Sequence, residues 1–130
     1  MSTAVALLVD DKKTVLDALR RQVRTLAGSR LRCETAEHVD EAWEVLEELS
    51  HDEAPIILVV SDWLMPGTRG DEFLAQVRSK YPRVVRVMLT GQADAAALER
   101  VQRDDLAHLL LTKPWTEADV RAAIDLALGR

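Results

Sequence analysis

The chain contains few of the residues that cross-link small domains or bind metals through sulfur and nitrogen. Its single cysteine, Cys33, cannot form a disulfide within the chain, and its three histidines, at positions 38, 51 and 108, lack the spacing of metal ligands. A domain of 130 residues buries enough surface to be stable without such links. We therefore predict a reduced, cytoplasmic compartment and no zinc site.

Long apolar runs and an excess of positive charge are also missing. The apolar segment at residues 4–9 is too short for a signal sequence or a membrane span. Seventeen basic and 22 acidic residues give a formal net charge of -5, which argues against direct binding to nucleic acid or to an anionic membrane. Neither a P-loop nor a Gly-x-Gly-x-x-Gly sequence is present, so nothing predicts nucleotide hydrolysis.

Short apolar runs alternate five times with segments of helical periodicity. The runs are residues 4–9, 31–35, 56–60, 84–89 and 109–111, and the helical segments are about 12–28, 37–49, 71–80, 93–102 and 116–128. This alternation favours a parallel sheet, because each return to a parallel strand needs a crossover helix. We predict an α/β fold, with helices on both faces of a five-stranded sheet in a three-layer sandwich.

The sequence predicts how the last helix is capped and how firmly the fourth helix packs against the sheet. Thr116 and Asp119 have the spacing of a capping box at the start of the last helix. The alanine-rich segment 93–102 has only a thin apolar stripe, formed by Ala97, Leu98 and Val101. We expect this helix to be the least securely docked of the five.

The central apolar run, IILVV at residues 56–60, ends abruptly at Ser61 and Asp62 and is followed by a loop with proline and glycine. Four of its five residues are β-branched, which predicts a strand buried on both faces with a carboxylate at its carboxyl end. A lone aspartate there often serves only to cap a helix. The significance of Asp62 therefore depends on the residues at the ends of the other strands.

Polar residues come directly after four of the five predicted strands. Because the carboxyl ends of parallel strands meet at one edge of the sheet, we expect these residues to lie close together. They are Asp10 and Asp11 after the first strand, Asp62 after the third, Thr90 and Gly91 after the fourth, and Lys113 after the fifth.

This set of groups has a specific chemical use. Carboxylates a few Å apart repel each other by about 4 kcal/mol per pair at an effective dielectric constant near 20, so the cluster needs a divalent cation or a proton. Mg²⁺ is usually held by one or two carboxylates together with phosphate and water. A lysine and a threonine suit phosphoryl oxygens, and a carboxylate can act as a nucleophile toward phosphorus. The residues therefore predict phosphoryl transfer to an aspartate.

These motifs resemble the receiver domain of bacterial two-component response regulators. The matching segments are LLVDD at 7–11, SDWLMPGTRGDEF at 61–73, MLTG at 88–91 and LLTKPW at 110–115, and the resemblance extends over residues 1–130 as one domain. It implies a flavodoxin-like (βα)5 fold with strand order 2-1-3-4-5. It also implies a signalling phosphoprotein that is not an enzyme beyond self-phosphorylation and slow autodephosphorylation.

The resemblance implies a role for each acidic residue. Asp62 would accept the phosphoryl group from a sensor histidine kinase or a histidine phosphotransfer protein. Mg²⁺ would be bound by Asp11, Asp62 and the backbone carbonyl of Leu64, with Asp10 contributing through water.

For the remaining groups, the resemblance implies contacts with the phosphoryl oxygens. Thr90, the backbone amide of Gly91 and Lys113 would make them, and the Lys113–Pro114 peptide bond would be cis. Such receivers usually carry an aromatic residue three positions before the lysine, whose inward swing accompanies movement of the threonine. That position is Leu110 here, which lacks the large ring that such a switch moves.

Other interpretations stay open. A hydrolase with an aspartyl-phosphate intermediate needs similar groups but carries its nucleophile in an Asp-x-Asp arrangement after the first strand, whereas Asp10 and Asp11 are adjacent. A receiver that serves only as an interaction module would not need the complete polar set. The chain is either a stand-alone receiver or the receiver of a longer regulator, for example one joined to a signalling phosphodiesterase, because its MLTGQAD and LLTKPW segments are similar to those of such regulators.

Overall fold

A computed structural model describes residues 3–65, 67, 69–91 and 95–129 of the chain, without the side chain of residue 97. None of the helices in these residues combines the length and the apolar character needed to cross a membrane. The described strands are β1 (Ala4–Val9), β2 (Leu31–Ala36), β3 (Ile56–Asp62), β4 (Val85–Thr90) and β5 (Leu109–Thr112). The α-helices are α1 (Lys13–Ala27), α2 (Val39–His51), α3 (Gly70–Lys80), α4 (Ala95–Asp104) and α5 (Glu117–Leu128).

The predicted alternation of strands and helices is confirmed, with boundaries that agree within two residues. Residues 93 and 94, with which the fourth helix was predicted to begin, lie outside the described part of the chain. The strands form one parallel sheet in the order β2-β1-β3-β4-β5, as the resemblance implied. The three-layer flavodoxin-like fold is therefore confirmed.

The sheet register brings the carboxyl ends of four strands to the same level. Val9 lies opposite Ser61, Asp62 opposite Leu89, and Thr90 opposite Thr112. The residues directly after β1 and β5 are therefore within one or two positions of the end of β3. This register assembles the polar edge of the sheet.

Each face of the sheet is covered by a separate apolar core, because successive strand side chains point to opposite faces. The helices α1 and α5 cover one face, and α2 and α3, together with Val101 of α4, cover the other. The first core includes Leu8, Val60, Val87, Leu19, Val23, Val120 and Ile124, and the second includes Leu7, Val59, Met88, Leu46, Phe73, Leu74 and Val77.

The start of α5 has the capping box that the sequence predicted. The Thr116 hydroxyl accepts a hydrogen bond from the Asp119 amide at 3.1 Å, and the Asp119 carboxylate accepts one from the Thr116 amide at 2.9 Å. Two backbone donors that the first turn leaves unpaired are thereby satisfied.

Helix α4 differs from the prediction at one residue of its apolar stripe. Val101 is buried, but Leu98, which the apolar stripe placed inward, is 45% exposed. The side chain of Ala97, the third member of that stripe, lies outside the described residues. The helix instead turns Arg100 toward the protein, where its guanidinium donates to the buried carboxylate of Asp71 at 3.0 Å. A charged contact thus sets the rotation of this helix, and Leu98 is left in solvent.

Replacement of Thr116 by alanine tests the contribution of the capping box. We expect Thr116→Ala to lower the free energy of unfolding by about 1 kcal/mol, since the Asp119 amide at the start of α5 loses the hydroxyl that accepts its hydrogen bond. The control Arg121→Gln removes an exposed ion pair with Glu117 and should cost no more than about 0.5 kcal/mol. Urea denaturation measures both values, and equal losses would contradict the assignment.

Candidate functional site

Three carboxylates meet at the carboxyl edge of the sheet. Oxygens of Asp10, Asp11 and Asp62 all lie within 4.8 Å of one another. Asp10 is fully buried and Asp62 is 7% exposed, whereas Asp11 is open to solvent. The cluster therefore has two buried carboxylates and one that is exposed to solvent.

The Lys113 ammonium lies inside this cluster. Its Nζ is 2.8 Å from Oδ2 of Asp10 and 3.1 Å from Oδ1 of Asp62. The backbone amide of Lys113 donates to the Thr90 carbonyl at 2.7 Å, which continues the pairing of β5 with β4 and fixes the lysine at the sheet edge. The predicted meeting of Asp10, Asp11, Asp62 and Lys113 is confirmed, and the Lys113–Pro114 peptide bond is cis, as the resemblance implied.

Asp10 is held in place from three directions. Its backbone amide donates to the Ala36 carbonyl at 3.2 Å, and its Oδ1 accepts the Lys12 amide at 2.9 Å. Its other oxygen accepts the Lys113 ammonium. Because both oxygens are bonded, this buried carboxylate has a fixed orientation within the cluster.

The other predicted residues differ in how far they are buried. Thr90, the last residue of β4, is 2% exposed, and Gly91 after it is exposed, with open space where a side chain would begin. Leu64 comes two residues after Asp62, and its side chain is 58% exposed. Leu110 is half-buried against the core under α2 and α3, where it replaces the aromatic residue expected from the family pattern.

The surroundings shift the pKa values of both Asp62 and Lys113. Burial, together with the negative charge of Asp10, raises the pKa of Asp62 above its ordinary value, although the hydrogen bond from Lys113 acts in the opposite direction. Burial lowers the pKa of Lys113, but its hydrogen bonds to Asp10 and Asp62 outweigh burial and raise it overall. The lysine therefore stays charged, while ionisation of Asp62 is disfavoured without a further cation.

The donor set fits a hard divalent cation. All three side chains offer carboxylate oxygens, and their separation allows one ion to contact all of them. The exposed position of Asp11 gives an ion a route to the two buried acids. A cation there would also remove the electrostatic penalty on ionised Asp62.

Sequence reasoning missed the role of Gly70 at the start of α3. A Cβ at this position would lie 1.8 Å from the backbone oxygen of Asp62, so only glycine allows the helix to approach Asp62 this closely. The Gly70 amide donates to the Trp63 carbonyl at 2.9 Å. The signal in the sequence was a glycine directly before a helix, but the partner across the loop could not be read from it.

The backbone beyond Asp62 is held on its other side by β4. The Trp63 amide donates to the Leu89 carbonyl at 2.7 Å, and the indole ring is buried, with the Arg69 guanidinium 5.6 Å from its centre. The backbone after Asp62 is thus held between β4 and the first turn of α3.

Comparison with known proteins agrees with this geometry. Residues 6–125 match the family model of the response regulator receiver domain. The chain is 31% identical over 119 residues to the hydrogenase transcriptional regulatory protein HoxA of Cupriavidus necator, covering 86% of this chain and 21% of HoxA. It is 30% identical over 130 residues to the DNA-binding transcriptional regulator NtrC of Escherichia coli, covering 99% of this chain and 26% of NtrC. The chain thus spans about a quarter or less of these two regulators.

Shorter relatives match over nearly their whole length. The chemotaxis protein CheY1 of Helicobacter pylori is 28% identical over 128 residues, with 95% of each chain covered. The structure of a response regulator receiver domain protein from Clostridium thermocellum superimposes with a TM-score of 0.80 at 26% identity, covering 98% of this chain and 95% of that one. The family match, these relatives and the fold lead to one conclusion: this chain belongs to the receiver domains of two-component response regulators.

Proposed function

We propose that residues 1–130 act as one receiver that takes a phosphoryl group from phosphohistidine onto Asp62 in a Mg²⁺-dependent reaction. The donor would be a sensor histidine kinase or a histidine phosphotransfer protein in the cytoplasm. The observation that carries this proposal is the position of the Lys113 ammonium, which contacts Asp62 and Asp10 within a cluster of three carboxylates. A fixed ammonium group within an acid cluster suits the transfer of a negatively charged phosphoryl group to a carboxylate oxygen, because it offsets the added negative charge.

In the proposed reaction, a carboxylate oxygen of Asp62 forms a bond to phosphorus while the bond between phosphorus and the donor imidazole breaks. The imidazole leaves with the electron pair of that bond. Lys113 offsets negative charge on the phosphoryl oxygens, and we assign the Thr90 hydroxyl and the Gly91 amide to the same oxygens.

We assign the Mg²⁺ site to Asp11, Asp62 and the backbone carbonyl of Leu64, with Asp10 beside them. When bound, Mg²⁺ supplies positive charge that neutralises the acceptor carboxylate and the phosphoryl oxygens. The three side chains fit this assignment because their oxygens lie within 4.8 Å of one another.

The proposed product is a signal rather than a released compound. The phosphoryl group stays on Asp62 until it is slowly hydrolysed, so we expect no sustained turnover of phosphate esters. Its charge would act on a surface that binds a partner or an effector domain. HoxA and NtrC are transcriptional regulators by name, and the chain spans about a quarter or less of each, which supports a receiver within a longer regulator.

Labelling by a small acyl phosphate tests the acceptor. We expect acetyl phosphate with Mg²⁺ to add one phosphoryl group to the protein and Asp62→Asn to abolish this addition, because the change removes the nucleophilic charge at nearly constant volume. Intact-mass measurement and then peptide mapping read the result. The exposed Asp17→Asn variant is the control and should label normally; an Asp62→Asn protein labelled in the same peptide would show that the acceptor is misassigned.

The pKa of Asp62 predicts a pH-dependent effect on stability. Because Asp62 has a raised pKa in the folded protein, it stabilises the fold when protonated, and this contribution is lost as the pH rises through that pKa. Asp10 and Asp11 add to the penalty on its charge, and Lys113 partly offsets it. In EDTA at pH 7, we therefore expect Asp62→Asn to be more stable than the wild type.

Paired urea denaturations of both proteins measure this difference. The advantage of Asp62→Asn should shrink as the pH falls through the range in which carboxylates titrate, because the wild-type side chain also becomes neutral. Added Mg²⁺ should stabilise the wild type more than the variant. A variant that is less stable than the wild type at pH 7 in EDTA would contradict the predicted direction.

Replacement of Lys113 separates phosphoryl binding from metal binding. We expect Lys113→Ala to slow labelling by at least about tenfold, because one preorganised cation is lost at the phosphoryl oxygens. Mg²⁺ affinity, monitored by Trp63 fluorescence, should stay the same or rise, since the internal cation no longer competes. The exposed Lys12→Ala variant is the control, and equal loss of labelling and Mg²⁺ binding in Lys113→Ala would assign the lysine another role.

A further inference from the structure

A second charged cluster lies behind the phosphoacceptor, at the start of α3. Asp71 is completely buried, and both of its oxygens accept hydrogen bonds from Arg69, at 3.1 and 3.0 Å. Its Oδ2 also accepts the Arg100 guanidinium at 3.0 Å. A buried carboxylate is stable only when it is paired and hydrogen-bonded, so these contacts fix the positions of the groups involved.

Asp71 is attached firmly to the acceptor strand. It comes directly after Gly70, whose backbone lies against the Asp62 carbonyl and donates to the carbonyl of Trp63. Arg69, on the other side of Gly70, covers the Trp63 ring. The Asp71 carboxylate therefore cannot move far without displacing the backbone of the phosphoacceptor.

The partner of Asp71 lies on the helix with the smallest apolar contact. Among the described side chains of α4, Val101 is the buried aliphatic one, and Leu98 is exposed. Arg100 pairs with Asp71 and also with Asp104 one turn later on the same helix. The ion pair with Asp71 is thus a main attachment of the middle of α4.

The carboxyl end of α4 is attached separately. The Arg78 guanidinium donates to the Asp104 carbonyl, and the guanidinium of the buried Arg86 donates to the Leu106 carbonyl at 2.8 Å. Both arginines bind carbonyls at the negative end of the helix dipole. The Asp71–Arg100 contact attaches the middle of α4, closer along the chain to Thr90 and Gly91 than these two contacts are.

We propose that the Asp71–Arg100 ion pair is a latch that holds α4 in its unphosphorylated position and opposes the switch. The proposal rests on the proposed function, in which the charge added at Asp62 acts on a partner-binding surface, and it adds that this surface includes the loop after β4 and helix α4, which shift on phosphorylation. Asp71 cannot move with such a shift, because Gly70 fixes it to the acceptor strand, so the contact with Arg100 must lengthen or break. Arg100 is therefore a positioning residue, and its ion pair is part of the cost of switching.

The ion pair and the binding of a phosphoryl analogue at Asp62 must affect each other by the same free energy, so the loss of the ion pair should change the affinity for the analogue. If phosphorylation breaks the latch, a variant without the latch must bind a phosphoryl analogue more tightly than the wild type does. We expect Arg100→Met to bind beryllofluoride with Mg²⁺ about threefold to tenfold more tightly, because one charge-assisted contact no longer opposes the change. Methionine keeps the packing of the arginine stem.

The test measures beryllofluoride affinity by Trp63 fluorescence and backbone protection of α4 by hydrogen exchange, in the full chain. Arg100→Met should show lower protection of α4 without beryllofluoride than the wild type, and a smaller change when beryllofluoride binds. Arg100→Lys, which keeps the charge but loses the planar guanidinium, should lie between the two. Arg103→Met is the matched control, because it removes an exposed ion pair with Glu99 on the same helix and should change neither measurement.

Each outcome decides between the alternatives. Unchanged or weaker beryllofluoride binding by a folded Arg100→Met protein would overturn the latch, and so would an effect of equal size in Arg103→Met. If the wild type itself binds no beryllofluoride, the proposed function fails and the coupling fails with it. In that case, lower α4 protection in Arg100→Met would still identify Asp71–Arg100 as the attachment of the helix, so the two failures are distinguishable.

Discussion

The arrangement of the polar edge depends on one ammonium group. Lys113 reaches from the end of β5 past the end of β4 to contact carboxylates at the ends of β1 and β3. Without a cation among them, the carboxylates of Asp10, Asp11 and Asp62 would repel each other at separations below 5 Å. The lysine offsets only part of this repulsion, and burial together with the remaining repulsion raises the pKa of Asp62. The site is therefore electrostatically incomplete in a way that favours a further cation.

Rigidity at this edge comes from the backbone. One hydrogen bond just beyond the end of β1, of β3 and of β5 continues the sheet, from Asp10 to Ala36, from Trp63 to Leu89 and from Lys113 to Thr90. Such bonds hold the attached side chains at fixed heights, which is what catalysis by positioning requires. Gly70 adds a second constraint, because its missing side chain lets α3 pack against the Asp62 carbonyl. Backbone contacts from β4 and from α3 thus hold the chain around Asp62.

Local periodicity predicted most of the fold, because apolar spacing distinguishes strands from helices and parallel strands bring their carboxyl ends together. The meeting of Asp62 with Lys113 could be deduced from that rule alone. The strand order and the cis peptide bond came from the family resemblance, since no local pattern specifies either of them. The inward placement of Leu98 was wrong because a thin apolar stripe is a weak determinant of helix rotation. The competing determinant, the pairing of Arg100 with Asp71, joins residues 29 positions apart and has no periodic signal.

The way each helix is attached therefore separates the rigid and the movable parts of the domain. The helices α1, α2, α3 and α5 each bury at least four residues against the sheet and its neighbouring helices, and removing any one contact leaves the others in place. Helix α4 buries Val101, and guanidinium groups bind oxygens at its middle and at its carboxyl end, through directional contacts that weaken steeply with displacement. A helix held by such contacts, next to helices packed through larger apolar faces, suits the proposed conversion of a change of charge at Asp62 into a change of surface.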